Sequence, residues 1–305
     1  MKFNILTNLI VILLVGGINC SLAFANIKDA IQNPGLSGQS ESVVELTEMA
    51  VQGSAQAQAA LGAMYQFGNG IPVDFVEAAA WYRKAAEQGH ALAQASLGTM
   101  YEAGVGVVQD YTKAVGWYRK AAKQNHVAGQ VNLGAMYFHG RGVQKDYRSA
   151  FEWYEMAAGQ GVALALSNLG VMYEYGLGVK RDPQEASARY LSAARKGYAP
   201  AQNNLAEMYE RGDGVSQDIA ESVRWYGRSA EQGNATGQFH LGLAYVSGRG
   251  VAKNYIQAYK WFRLAARQGH GTAMKSSEEI AKRMTPSQIA KAKSLARKWR
   301  SRIGK

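Results

Sequence analysis

The chain repeats itself every 36 residues, and this period constrains its fold more than any other feature. Six leucines recur at this constant spacing, and a tyrosine follows four residues after each of them. The leucines are Leu61, Leu97, Leu133, Leu169, Leu205 and Leu241, and the tyrosines are Tyr65, Tyr101, Tyr137, Tyr173, Tyr209 and Tyr245. A period of this size indicates stacked units that bury their apolar faces against their neighbours. We therefore expect one all-α solenoid instead of two globular domains.

Each unit is predicted to hold two helices joined by a glycine-rich turn. In residues 90–125, apolar side chains recur every three to four positions from Leu92 to Tyr101, which is typical of a first helix. Gly104 suits the left-handed position that follows a helix end. Asp110 suits the N-cap of a second helix, because its carboxylate can accept from free backbone N–H groups. The predicted N-caps of the second helices are Asp74, Asp110, Asp146, Asp182, Asp218 and Asn254.

Large and small residues alternate within each unit in a way that predicts close packing. A Trp-Tyr pair recurs in the second helix, and a glycine directly follows the repeated leucine of the first helix in five of six units. These glycines are Gly62, Gly98, Gly134, Gly170 and Gly242, with Ala206 in the remaining place. We expect the glycines to let two backbones approach each other, and we expect the aromatic residues to lie in the core.

The first 25 residues have the features of an export signal. Lys2 precedes an apolar stretch that is short for a membrane span, and Ala23-Phe24-Ala25 resembles a signal peptidase site. We expect cleavage before Asn26 and a periplasmic or secreted protein with no transmembrane segment after cleavage. An uncleaved anchor and a lipid on Cys20 are the alternatives. Cys20 is the only cysteine, so the mature chain would have no disulfide.

Positive charge is concentrated at the C-terminus. The formal net charge of the chain is +11, and residues 275–305 carry ten basic and two acidic residues, whereas residues 26–274 carry 23 basic and 21 acidic residues. Ile289, Leu295 and Trp299 form an apolar stripe that predicts a helix capping the solenoid. The basic side chains would then be a solvated outer face, or would dock on an anionic surface. We expect at most weak contact with such a surface and no binding of nucleic acid.

The repeated unit resembles the Sel1-like repeat, a relative of the tetratricopeptide repeat. The resemblance is carried by Leu-Gly-x-Met-Tyr, Gly-x-Gly-Val, the capping Asp and Ala-x-x-Trp-Tyr-x-x-Ala-Ala. It covers six units in residues 54–269, with an opening helix in the segment 26–53 and a degenerate repeat with the capping helix in 270–305. It implies α/α hairpins in a right-handed superhelix that mediates protein–protein contacts. Exported bacterial members resemble adaptors in envelope regulation or host interaction.

Motifs for catalysis or cofactor binding are not evident in the sequence. The five histidines lack the spacing of a helical metal site, and three of them, His90, His126 and His270, share one repeat position. Neither Ser-x-x-Lys nor Gly-x-Ser-x-Gly occurs. We therefore expect a non-enzymatic protein without metal or cofactor. A cell-wall-active or β-lactam-hydrolysing enzyme remains the alternative.

The positions that vary between repeats are the candidate binding residues. By analogy with tetratricopeptide repeats, the first helices line the concave side of the solenoid. Exposed places on them should lie two before, two after, five after and six after the repeated leucine. Aromatic anchors and charges there fit a protein or peptide partner, although a plain solvated face is the alternative. The candidates are Phe67, Glu102, Phe138, His139, Glu174, Tyr175, Asn203, Glu207, Glu210, Arg211 and Phe239.

Overall fold

The helical prediction is confirmed by the structure, a computed structural model that describes residues 39–303, with side chains described for residues 43–300. Fifteen α-helices and no β-strand are present in this part of the chain. The predicted signal, residues 1–25, lies outside the described residues. One compact unit ends at Val162 and a second begins at Ala163.

Seven of the described helices belong to the first unit and eight to the second. The first contains α1 Gln39–Val51, α2 Ala55–Phe67, α3 Phe75–Glu87, α4 Ala91–Ala103, α5 Tyr111–Lys123, α6 Val127–His139 and α7 Tyr147–Gly159. The second contains α8 Ala163–Tyr175, α9 Pro183–Arg195, α10 Ala199–Arg211, α11 Ile219–Glu231, α12 Ala235–Ser247, α13 Tyr255–Arg267, α14 Gly271–Ala281 and α15 Pro286–Ile303. Within each unit, consecutive helices pack against each other, except that α15 packs on α13 instead of α14. None of the described helices is long and apolar enough to cross a membrane.

The predicted caps and turns set the ends of these helices. Asp74 accepts hydrogen bonds from the backbone N–H groups of Val76 and Glu77 at 2.9 and 3.1 Å, and the other five predicted N-caps do the same for their helices. Gly104 ends α4 with φ 69°, a left-handed conformation that disfavours a Cβ. A Cβ on Gly106 would clash with the carbonyl oxygen of Phe75, so this glycine lets the turn approach the preceding repeat.

The three histidines in one repeat position are N-caps of first helices. Nδ1 of His90 accepts from the N–H of Ala93 at 3.3 Å, and Nδ1 of His126 accepts from Gly129 at 3.4 Å. His270 caps α14 in the same way, and Asn234 holds the equivalent place before α12. Burial lowers the pKa of His90 and of His126, where the nearby His90 adds to the effect. The imidazoles of His90 and His126 therefore act as neutral acceptors.

Tyrosine rings pack directly on the repeated glycines. A Cβ on Gly98 would lie 2.7 Å from the ring of Tyr118, which is fully buried. The same pairing joins Gly62 with Tyr82, Gly134 with Tyr154, Gly170 with Tyr190 and Gly242 with Phe262. The expectation that these glycines bring two backbones together is therefore wrong, because the space is filled by an aromatic ring of the second helix. The cores of these five hairpins depend on this ring contact, and Ala206 takes the place of the glycine in the remaining repeat.

Buried glutamines connect successive repeats, a feature absent from the sequence analysis. Gln94 donates from Nε2 to the carbonyl of Ala86 in the preceding repeat at 3.0 Å. Gln124 donates to Gln94 Oε1 at 2.8 Å and to the carbonyl of Gly89 at 2.9 Å. Equivalent amide pairs are Gln58–Gln88, Gln130–Gln160, Gln202–Gln232 and Gln238–Gln268. Buried amides with satisfied hydrogen bonds favour one arrangement of neighbouring hairpins over others.

The C-terminal helix covers the last repeat as the apolar stripe predicts. α15 packs on α13, and the rings of Trp261 and Trp299 meet edge to face with centroids 5.7 Å apart. Trp299 also donates from Nε1 to Glu231 at 2.8 Å. Ala292 is fully buried, and Ile289 packs on the same core cluster. At the other end of the described chain, α1 packs on α2 through Ala50 and Leu61.

We predict that Gly98→Ala destabilises the protein by about 1–3 kcal/mol, because the added methyl group overpacks the site against the Tyr118 ring. Gly116→Ala is the matched control, since a Cβ there meets nothing within 4 Å and lies in the middle of α5. This second change should stabilise the helix by about 0.5–1 kcal/mol. Urea denaturation measures both effects. Equal midpoints for the two variants would contradict the proposed ring contact.

We also predict that the free energy of unfolding falls between pH 7.5 and pH 5.5. The folded-state pKa values of His90 and His126 are lowered. The unfolded chain therefore binds protons first as the pH falls through about 6.5. The double variant His90→Asn/His126→Asn should show a weaker pH dependence, since asparagine caps α12 in this place without titrating. Urea titrations at both pH values test this, and an unchanged pH slope in the variant would refute it.

Candidate protein-binding surface

The candidate residues lie on the first helices of the repeats, mostly in the last turn. In the first unit, Phe67 lies on α2, Glu102 on α4, and Phe138 and His139 on α6. In the second unit, Glu174 and Tyr175 lie on α8, Asn203, Glu207, Glu210 and Arg211 on α10, and Phe239 on α12. The place five residues after the leucine has a structural role in three repeats, because a buried tyrosine of the second helix donates its hydroxyl group there to Gln66, Glu102 or Glu174.

In the first unit, Glu102 accepts a hydrogen bond from the Tyr118 hydroxyl group at 2.7 Å. Tyr82 makes the same contact to Gln66 at 2.8 Å in the preceding repeat. Burial, and then the charge of Glu102, raises the pKa of Tyr118 well above its usual value, so the phenol remains a donor. The Glu102 side chain is 25% exposed and lies 3.9 Å from Arg141. It is therefore a core acceptor with only one side open to a partner.

Phe138 occupies the equivalent place one repeat later and presents an aromatic cluster. Its ring meets His139 edge to face at 5.1 Å and Tyr147 at 5.1 Å. Phe138 is half-buried and His139 is exposed. Partial burial, followed by the charges of Arg141 and Lys145, lowers the pKa of His139. Phe67 is also half-buried but packs on the core cluster of its unit, which leaves less of its ring for a ligand.

In the second unit, Glu174 is held by two internal partners. Tyr190 donates its hydroxyl group to Oε2 at 2.9 Å, and Arg211 donates from Nη2 to Oε1 at 2.6 Å. Glu174 is only 7% exposed, so the expectation that it lies open on the surface is wrong. Burial, and then the charge of Glu174, raises the pKa of Tyr190 far above its usual value. The buried carboxylate of Glu174 therefore holds the Arg211 guanidinium group in place.

Asn203 is also buried, with 8% exposure, and donates from Nδ2 to Asn234 Oδ1 at 2.9 Å. The expectation that it is exposed is wrong, because its partner Asn234 is the N-cap of α12 and the start of that helix covers the side chain. The equivalent residues Ala59, Ala95, Val131 and Ser167 are buried as well.

An open patch remains around Tyr175, and we define the Tyr175 patch as Tyr175, Glu207, Glu210 and Arg211. Tyr175 is 62% exposed, an unusual degree for a large aromatic residue. The Arg211 guanidinium group forms ion pairs with the buried Glu174 and, at 3.4 Å, with Glu207 on the same helix. The charge of Glu174 and partial burial raise the pKa of Tyr175. The structure thus brings these predicted residues together around one exposed ring.

Phe239 is part of a second aromatic group and is less available than expected. Its ring stacks on His270 with centroids 4.5 Å apart and meets His240 edge to face at 5.5 Å. It also lies 5.8 Å from the buried Phe262. Phe239 is half-buried and packs on the core cluster of the last repeat. Its contacts are those of a packing residue with one open edge.

Two turn arginines belong to this surface although the sequence analysis missed them. Arg141 and Arg249 stand between the paired turn glycines and lie 3.9 Å from Glu102 and Glu210. In both pairs the arginine follows the glutamate by 39 residues, so a comparison of charges across repeats could have found them. Within the described residues, no three His, Asp or Glu side chains come together as a metal site. The arrangement can hold a peptide by stacking, hydrogen bonds and charge.

Comparison with known proteins identifies the repeats. Six consecutive Sel1 repeat matches cover residues 55–90, 91–126, 127–162, 163–198, 199–234 and 235–270. A protective antigen of uropathogenic Escherichia coli that displays the SLR fold is 37% identical, with a TM-score of 0.69. That match covers 85% of this chain and 56% of the antigen, so this chain spans little more than half of the antigen's length.

A Sel1 repeat protein from Oxalobacter formigenes is 35% identical, with a TM-score of 0.68, over 75% of this chain and 97% of that protein. No curated protein matches the chain. Sel1 repeat proteins are generally scaffolds for protein interaction and are typically not enzymes. The repeat matches and both solved structures agree with the 36-residue hairpins described above, and the chain belongs to the Sel1 repeat family.

Proposed function

We propose that this protein is an exported, non-enzymatic scaffold that binds a segment of another protein through the first-helix face. The Tyr175 patch carries the proposal. An exposed aromatic ring beside a fixed arginine has the composition of an interaction hot spot. Arg211 is already held by Glu174 and Glu207, so little side-chain freedom is lost when a partner binds. The cluster of Phe138 and His139 offers a second aromatic contact in the first unit.

The charges of the Tyr175 patch suggest the chemistry of the partner. Glu207 and Glu210 have 55% and 40% exposed side chains, whereas the carboxylate of Glu174 is committed to Tyr190 and Arg211. Carboxylates outnumber guanidinium groups around the ring. We infer a partner segment with an apolar or aromatic side chain that stacks on Tyr175. A lysine or arginine next to it would pair with Glu207.

Export is part of the proposal. The signal-like residues 1–25 motivate it, and the similarity to a protective antigen supports it, because an antigen of that kind meets antibodies outside the cell. A periplasmic or secreted scaffold of this family could act in envelope regulation or in contact with a host. The partner segment defined above is the feature that a search for the target would use.

We predict that Tyr175→Ala weakens binding of a selected peptide about tenfold or more, since truncation of a hot-spot residue costs about 2 kcal/mol or more and about 1.4 kcal/mol corresponds to tenfold. Peptides would be selected by display on the protein comprising residues 26–305, and Kd would be measured by calorimetry. Glu207→Gln should weaken peptides that carry the basic residue and leave others unchanged. Met274→Ala is the control, because Met274 is 59% exposed on α14 outside the patch. Equal affinity of all variants would exclude the Tyr175 patch as the binding site.

We also predict that expression of the whole chain in a bacterium yields a protein that begins near Asn26 and is released by osmotic shock. The short apolar stretch and the small residues before Asn26 give the physical reason. Intact mass spectrometry measures the N-terminus. Replacing Ala23 and Ala25 by bulky residues should retain the precursor. A native product that keeps Met1, or one with a lipid on Cys20, would disprove cleavage at this site.

A further inference from the structure

A cationic cavity lies between α13 and α15 at the C-terminal end of the second unit. Its volume is about 230 Å³. The lining residues are Arg263, Leu264, Arg267, Lys293, Ala296, Arg297 and Arg300. Five of these seven side chains are basic and none is acidic. Leu264 is buried, so the cavity combines an apolar floor with a basic rim. We refer to it below as the cationic cavity.

The packing of the capping helix creates this concentration of charge. Arg263 and Arg267 lie one turn apart on α13, and Lys293, Arg297 and Arg300 follow each other at spacings of four and three on α15. Such spacings place side chains on one face of a helix. Apolar contacts, including the Trp261–Trp299 pair, hold the two helices together. The two basic rows therefore face the same space despite their mutual repulsion.

No acidic residue lines the cationic cavity. None of its five basic side chains has an ion pair with a described carboxylate, whereas ten ion pairs occur elsewhere. The only acidic residues after position 254 are Glu278 and Glu279, and Glu279 pairs with Lys282. Glu231 accepts from Trp299 and is not among the lining residues. An external anion would remove the repulsion.

We propose that the cationic cavity binds a ligand that carries two or more adjacent phosphate groups. Guanidinium groups match phosphate oxygens with paired N–H donors, and four of the five basic residues are arginines. The basic row on α15 extends over about 10 Å, at 1.5 Å per residue, so a single phosphate would reach only part of it. The apolar floor of Leu264 and Ala296 suits the organic group that bears the phosphates. This site is independent of the Tyr175 patch.

Inorganic diphosphate is the probe for the first experiment. Calorimetry in a buffer free of phosphate should show saturable binding to residues 26–305, with an affinity about tenfold or more above that of orthophosphate. Diphosphate should also raise the thermal midpoint, because a ligand that binds only the folded state stabilises it. Absence of binding, or equal affinity for both anions, would overturn the proposal.

Matched variants separate a defined site from general attraction to a basic surface. Arg267→Gln/Arg297→Gln removes two lining charges, and Lys275→Gln/Lys291→Gln removes two exposed charges on α14 and α15 outside the cavity. The net charge changes equally in both. The first variant should lose diphosphate binding about tenfold or more, and the second should lose less than about twofold. Equal losses would show long-range attraction and overturn the proposal.

A vesicle experiment distinguishes a soluble ligand from a membrane surface. Vesicles of phosphatidylglycerol present single phosphate groups on a flat surface. The cationic cavity should not prefer these groups to a soluble diphosphate. Diphosphate should displace any protein bound to these vesicles through the cavity. Vesicle binding that persists in saturating diphosphate, together with no diphosphate effect on the thermal midpoint, would show that the basic helix adheres to membranes and would overturn the proposal.

Discussion

The contact between a first-helix glycine and a second-helix aromatic ring is the constraint on which five of the six repeat hairpins depend. The ring fills the space that a Cβ on the glycine would need, and this sets how closely the two helices approach. The contact also determines part of the surface. In Tyr118 and Tyr190 the hydroxyl group emerges at the end of the first helix and binds a glutamate there. Core packing and the choice of surface residues are therefore linked through one side chain.

Local features of the fold were predictable from the sequence, because they depend on residues close together in the chain. Asp110 lies directly before the first turn of α5 and caps that helix. Gly104 follows α4 and adopts the left-handed conformation that is common at a helix end. The candidate site was only partly predictable. Glu174 was expected on the surface but is covered by Arg211, which comes 37 residues later. Gln94 and Gln124 recur with the repeat period, but their hydrogen bonds require the spatial arrangement of two hairpins.

Specificity in such an array resides in the differences between equivalent positions. Glu102, Phe138 and Glu174 occupy the same place in three consecutive repeats. Both glutamates accept a hydrogen bond from the hydroxyl group of a buried tyrosine. Where the residue is a glutamate, its carboxylate is used by the tyrosine hydroxyl group and by a neighbouring arginine. Where it is Phe138, an aromatic edge is presented instead. One backbone thus supports chemically different contacts, and the neighbouring exposed residues, such as Tyr175, decide what can bind.

The second unit carries two surfaces of opposite character, which argues that they recognise different ligands. Around Tyr175 the carboxylates of Glu207 and Glu210 predominate, and they disfavour an anion. Between α13 and α15 the lining side chains include five basic and no acidic residues, and they disfavour a basic peptide. The apolar contact of Trp299 holds the second surface together against its own charge. Because an anion would relieve that repulsion, its binding would strengthen the packing of the capping helix and so couple ligand occupancy to the stability of this end of the fold.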